Sequence, residues 1–129
     1  MLKLENIVAG YGHITALKDI SLEVPQGSIV SLIGANGAGK STTMKTIMGL
    51  VKPTSGKVLF EGQDITGHKT HQIVHGGISL VPEGRQILQD MSVYENLEMG
   101  AYIRNDNEIE EDIKKVLNAF QTLKKVVYK

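Results

Sequence analysis

Apolar and polar residues alternate at both ends of the first 24 positions. Leu2 and Leu4 are interleaved with Lys3 and Glu5, and Ile20, Leu22 and Val24 with Asp19, Ser21 and Glu23. A period of two marks strands with one buried face, commonly antiparallel. Tyr11-Gly12 supplies a turn between them, and Pro25-Gln26-Gly27 a second turn. The pattern then changes. Ser28 to Ile33 is almost continuously apolar, which predicts a parallel strand buried on both faces. A glycine-rich loop follows. Lys40 to Leu50 has helical spacing, with Met44, Ile47 and Met48 on one face and Gly49 and Pro53 as stop signals. Val58 and Phe60 predict a short strand, residues 69–75 a short helix, and Ile78 to Val81 another strand. Ser92 and Glu95 have the spacing of a capping box for a helix ending near Gly100. A longer helix is predicted from about Asn107 to Val127. Ile109, Ile113, Val116, Leu117, Phe120 and Leu123 share one face, and Glu110–Lys114 and Glu111–Lys115 are i,i+4 pairs on the other.

Two antiparallel strands leading into strand, loop and helix predict an α/β chain with an antiparallel layer at its start. The loop carries the chemistry. Gly34-Ala35-Asn36-Gly37-Ala38-Gly39-Lys40-Ser41 matches G-x-x-x-x-G-K-[ST] between a predicted strand and a predicted helix, the context that pattern requires. Such a loop wraps phosphate oxygens with backbone N–H groups, and the helix N-terminus adds partial positive charge. Lys40 is positioned for the β- and γ-phosphates of a nucleoside triphosphate, and Ser41 for Mg²⁺. Thr42 offers a further hydroxyl at the α-phosphate end. The competing reading is a glycine turn that only joins strand to helix.

Composition narrows the class. Fourteen basic residues offset fourteen acidic ones in 129, so nothing marks a dedicated nucleic-acid binder. No cysteine is present, which removes thiolate metal sites and disulfides. The start lacks the basic and apolar regions of a signal peptide, and no apolar run is long enough to span a bilayer. His68, His71 and His75 lack a further suitably placed ligand and read as a solvated helix face.

Further segments carry a resemblance. Tyr11-Gly12 with Ala16-Leu17, the phosphate loop from Ile33, Pro53 to Gly56, Gly62 to Gly67, Val81 to Arg85 and Glu95 to Gly100 resemble the ATP-binding subunits of ABC transporters. Within them they resemble the LivF type of branched-chain amino acid importers, from Met1 to about Phe120. The resemblance implies an α/β P-loop NTPase core with an N-terminal antiparallel β-layer. It implies one incomplete ABC ATP-binding domain over 1–129: 1–27 the β-layer, 28–81 the P-loop core, 82–129 a loop towards the permease and helices.

By the same resemblance Tyr11 stacks on adenine, the alternative being a turn tyrosine packed on its own hairpin. ATP is held by Tyr11, Gly34, Asn36, Gly37, Ala38, Gly39, Lys40, Ser41 and Thr42. Mg²⁺ is held by Ser41 and by Glu83, which otherwise reads as a solvated loop acid. Arg85, Gln86, Met91, Tyr94 and Glu95 face the permease. The implied partners are a second ABC ATPase subunit, two integral-membrane permeases and, indirectly, a substrate-binding protein, at the cytoplasmic face of the membrane and without nucleic acid.

Gln89-Asp90 and Gln121 depart from the residues common in this family. No Ser-Gly-Gly signature and no apolar strand ending in Asp-Glu occurs. The chain therefore reads as stopping before the signature motif and the Walker B strand. The intact protein is expected to be a transport ATPase, and these 129 residues to bind Mg-ATP at best. A urea or short-amide importer subunit, a non-catalytic nucleotide-binding fragment and an unrelated P-loop enzyme are the other readings. Tyr11 and the lack of Asn-Lys-x-Asp disfavour the last.

Overall fold

The computed structural model describes residues 1–127 except Asn36, Ala38 and Arg85. The chain divides into two compact units, Met1–Val81 and Pro82–Lys129.

The first unit is built on an antiparallel sheet of order β2-β1-β3-β4. Its strands are β1 (Leu2–Tyr11), β2 (Ile14–Val24), β3 (Ser55–Phe60) and β4 (Gln63–Asp64). Leu4 pairs with Leu22 on one side and Val58 on the other, and Ile7 with Ile20. The alternation at the two ends of the hairpin does not run through it unbroken. Asn6 and Asp19 both have positive φ, 51° and 60°, and the register shifts between Leu4 and Ile7 and back again between Ile7 and Ala9. Each is a surplus residue of a β-bulge. Beyond it the alternation restarts, so that Leu4, Ile7, Ala9 and Leu17 all face the core. The two bulges are tied together: the Asn6 Nδ2 donates to Asp19 Oδ1 at 2.8 Å, and the Asn6 N–H to Ser21 Oγ at 2.9 Å. Gly56, at φ 91°, lies against the bulge; a Cβ there would stand 2.6 Å from the Glu5 carbonyl oxygen and closer still to that of Asn6.

The chain leaving β4 is pinned back onto β3 by Thr66. Its hydroxyl donates to the Asp64 carboxylate and accepts from the Val58 N–H at 2.8 Å. The Thr66 hydroxyl, and after it the Thr66 N–H at 2.9 Å, donate to the Asp64 carboxylate and hold it below its ordinary range.

Helix α1 (Lys40–Ile47) ends before Gly49, where the Leu50 N–H returns to the Lys45 carbonyl at 2.9 Å. Its buried face differs from the expected one. Met44 is 41% exposed, and Thr42, Thr43 and Thr46 are buried with Ile47 and Met48. The Thr43 and Thr46 hydroxyls bond back to the carbonyls of Gly39 and Thr42 at 2.8 and 2.7 Å, so their burial costs no unmet hydrogen bond. Helix α2 (Thr70–His75) follows.

Two expected strands are not formed. Ser28–Ile33 and Ile78–Val81 carry no strand pairing, and Ile29 and Ile33 are 98% and 92% exposed. A parallel strand needs neighbours reached by crossovers, and the described residues place none beside these segments.

The second unit contains α3 (Val93–Gly100), α4 (Ile109–Ala119) and α5 (Gln121–Val127). The expected single long helix is broken at Phe120, whose φ −117° and ψ 80° are not helical. The expected i,i+4 pairs are replaced by i,i+3 ones, Lys114–Glu111 at 3.7 Å and Lys115–Asp112 at 3.6 Å. Only Ile113 and Leu117 of α4 are buried. Arg104 links the α3–α4 connection to α4, contacting Asp106 at 2.9 Å and Asp112 at 2.7 Å.

Candidate functional site

The phosphate loop is seated on the hairpin through Gly39. This residue precedes α1 with φ 98°, a left-handed conformation that glycine adopts without a Cβ penalty. A Cβ at Gly39 would stand 2.7 Å from Leu17 Cδ2 and 3.2 Å from the Ala16 carbonyl oxygen. The loop therefore rests directly on β2, on the two residues Ala16 and Leu17 that the sequence singled out beside Tyr11-Gly12. Gly37 is also left-handed, at φ 85°, with open space where a Cβ would be. Asn36 and Ala38 lie outside the described residues.

Lys40 and Ser41 open α1. The Lys40 ammonium folds over the loop and donates to the Gly34 carbonyl and, at 3.3 Å, to that of Ala35. It thus lies across the arc that the loop's N–H groups are expected to line. Ser41 is exposed, and Thr42 is 7% exposed.

The same hairpin carries Tyr11. It ends β1 opposite Ile14 and is 47% exposed. Its neighbour Gly10 has no room for a side chain, because a Cβ would run into the Ile14 carbonyl oxygen. Lys45 of α1 stands over the Tyr11 ring, with Nζ 5.9 Å from the centroid. Sequence reasoning missed Lys45, since nothing in local spacing pairs a residue of α1 with the tip of β1.

The remaining candidates belong to the second unit. Glu83 and Gln86 lie exposed in the segment before α3. Arg85 is outside the described residues. Met91 is 39% exposed, and Tyr94 is half-buried. Glu95 completes the predicted capping box: Ser92 N–H donates to its Oε1 at 3.1 Å and its own N–H donates to Ser92 Oγ at 3.1 Å. The Ser92 N–H, and after it the Ser92 hydroxyl, hold the Glu95 carboxyl below its ordinary range.

Asn96 was also missed as an organising residue. Its side chain donates to the Leu88 and Ser92 carbonyls at 3.0 and 2.9 Å and accepts from the Leu88 N–H at 2.9 Å. One amide thereby fixes the path of residues 88–92. The sequence offered only the residue type, since an asparagine inside a helix more often faces solvent.

A glycine-rich loop running into the N-terminus of α1, a lysine and a serine that open that helix, and an aromatic on the hairpin beneath it are the features of a P-loop nucleotide-binding architecture. The family model for ABC transporter matches residues 17–128, and the chain belongs to that family. It is 41% identical over 124 residues to the high-affinity branched-chain amino acid transport ATP-binding protein BraG of Pseudomonas aeruginosa, covering 96% of this chain and 53% of that protein. It is 34% identical to a probable LivF of Archaeoglobus fulgidus, covering 96% and 52%. Among solved structures it is similar to the ATP-binding cassette MJ1267 of an ABC transporter, with a TM-score of 0.82 at 33% identity, covering 98% of this chain and 55% of that one. The α/β P-loop fold with an antiparallel layer is thus the fold of this chain, which spans about half the length of the relatives it matches. Among the described residues, no helix is long and apolar enough to cross a membrane.

Proposed function

We propose that the chain is the nucleotide-holding part of an ATP-binding subunit that energises an importer of branched-chain or other hydrophobic amino acids. The observation that carries this reading is the seating of the phosphate loop and Tyr11 on one hairpin, with Lys40 folded onto the loop's own carbonyls. A triphosphate offers that ammonium far stronger acceptors than two backbone carbonyls. Lys40 turns from Gly34 and Ala35 to the β- and γ-phosphates, and the loop N–H groups surround the same oxygens. Gly37, Gly39 and the α1 N-terminus fit a phosphate chain, and the exposed Ser41 hydroxyl is a hard oxygen donor suited to Mg²⁺. Mg²⁺ supplies charge neutralisation between the phosphates when bound. Glu83 is the second residue assigned to it. Tyr11 takes the adenine ring. Asn36, Ala38 and Thr42 complete the assigned nucleotide site.

In the whole protein, closure of two such subunits around ATP biases two membrane permeases between states, at the cytoplasmic face of the membrane. Arg85, Gln86, Met91, Tyr94 and Glu95 are assigned to the permease side. The 129 residues hold ATP without turning it over, because the sequence offers no signature and no Asp-Glu to complete the transition state. The cargo assignment rests on the names of BraG and LivF.

Calorimetry tests the reading. Mg·ATP binds, and Lys40→Ala lowers its affinity by roughly 10²-fold, the scale of losing a charged phosphate contact. No binding of Mg·ATP, or an affinity that Lys40→Ala leaves unchanged, overturns the assignment. Single-turnover hydrolysis at the rate of a complete ABC ATPase overturns the holding role.

A further inference from the structure

We infer that Lys45 is a positioning residue for the nucleotide base, acting through the ring of Tyr11; the inference rests on the reading of Tyr11 as the base platform. The Lys45 ammonium stands 5.9 Å from the ring centroid, within the range of a cation–π contact. It comes from α1, the helix whose first residues, Lys40 and Ser41, adjoin the phosphate loop. Tyr11 comes from the end of β1. The contact therefore ties the orientation of the ring to the element that carries the phosphate site. That fixes how far, and at what tilt, a base can lie from the phosphates it is joined to.

Two physical effects follow. An ammonium on one face leaves the other face for a flat ligand and holds the ring before that ligand arrives, so less freedom is lost on binding. It also draws π-electron density towards itself, which makes the opposite face a better partner for an electron-rich purine. A simpler role exists for Lys45, as the basic residue in the last turn of α1 complementing the helix dipole. That role affects the stability of the helix and is indifferent to the base.

The two roles separate on the ratio of affinities for Mg·ATP and for Mg·tripolyphosphate, which lacks a base. Charge lost near the phosphates alters both affinities, and the ratio isolates the base. The ratio is measured for the 129-residue chain, Lys45→Met, Lys45→Arg, Tyr11→Ala and the Tyr11→Ala/Lys45→Met pair, with circular dichroism checking that each variant is folded. Lys45→Met lowers the ratio roughly two- to fivefold, as expected for an exposed cation–π contact. Lys45→Arg restores it, and in the Tyr11→Ala background Lys45→Met changes nothing further. A ratio lowered by Tyr11→Ala but untouched by Lys45→Met overturns the inference and leaves the platform reading standing. So do effects that simply multiply in the double variant. A ratio indifferent to Tyr11→Ala, or a chain that binds neither ligand, overturns the platform itself and the inference with it.

Discussion

The β1–β2 hairpin and the segment just after it are both rich in apolar side chains, and the chain treats them oppositely. In the hairpin, Leu4, Ile7 and Leu17 are at most 1% exposed. In Ser28–Ile33, Ile29 is 98% exposed and Ile33 92%. Composition does not separate them; the source of their partners does. A hairpin strand finds its neighbour across a turn of two residues, Gly12 and His13, and β3 then adds on the other side of β1. A parallel strand has no such local partner. The hairpin is also held by a polar contact at its irregular points, Asn6 with Asp19, and elsewhere in the same sheet Thr66 secures the end of β4 through Asp64. An apolar run has no equivalent device.

The largest effect that tests this contrast is Ile7→Ala. Removing a side chain that is 0% exposed from the centre of the sheet lowers unfolding stability by about 2–5 kcal/mol, read by urea denaturation. Gly56→Ala comes next. Its Cβ meets the carbonyls of Glu5 and Asn6 at a positive φ, and the expected loss is about 1–3 kcal/mol. Asn6→Ala removes the bond to Asp19 and leaves a non-glycine residue at φ 51°, for a loss of about 0.5–1.5 kcal/mol.

Acid probes the exposed Asp64 pin more gently. Its folded-state carboxyl lies below its unfolded value of about 3.9, so its contribution is complete above that pH. It fades as pH falls through the folded value. Asp64→Asn flattens the stability profile below about pH 4, and an unchanged profile would show that the Thr66 contacts do not anchor the end of β4. Smallest of all is Ile29→Ala, expected within about 0.5 kcal/mol of the parent chain. A loss as large as that of Ile7→Ala would erase the contrast and place Ile29 in a packed strand.

These regions also show how far residues alone could be read. The ends of the hairpin were legible because period two survives on either side of Asn6 and Asp19. The bulges were not, since a polar residue satisfies either phase and only the restart at Ile7 betrays the surplus. The α4–α5 break was hidden for the opposite reason: apolar spacing continues through Phe120, while the backbone turns out of the helix there and leaves the ring 61% exposed. Gln63–Asp64 is too short to carry any period.

Gly34, Gly37, Gly39, Lys40 and Ser41 could be singled out as candidates from the sequence because the chemistry of a phosphate cradle dictates residue types at fixed spacing. The seating of Gly39 on Ala16 and Leu17, the approach of Lys45 to Tyr11 and the Asn96 clamp could not. Each joins residues that only the folded chain brings together.

The paired bulges have a consequence for how related hairpins change in length. Between the Leu4–Leu22 and Ala9–Leu17 pairs each strand carries one residue more than a regular ladder needs, a further shift following at Gly10, and across that stretch the core side chains face the same way before and after the surplus. Deleting Asn6 therefore leaves Ile7 and Ala9 pointing inward, and deleting Asp19 does the same for Ile20 and Leu22. Either deletion alone strands its partner without a counterpart. Lineages that lose one residue should lose the other, and a gap at position 6 in an aligned relative should be read together with a gap at position 19 as one event.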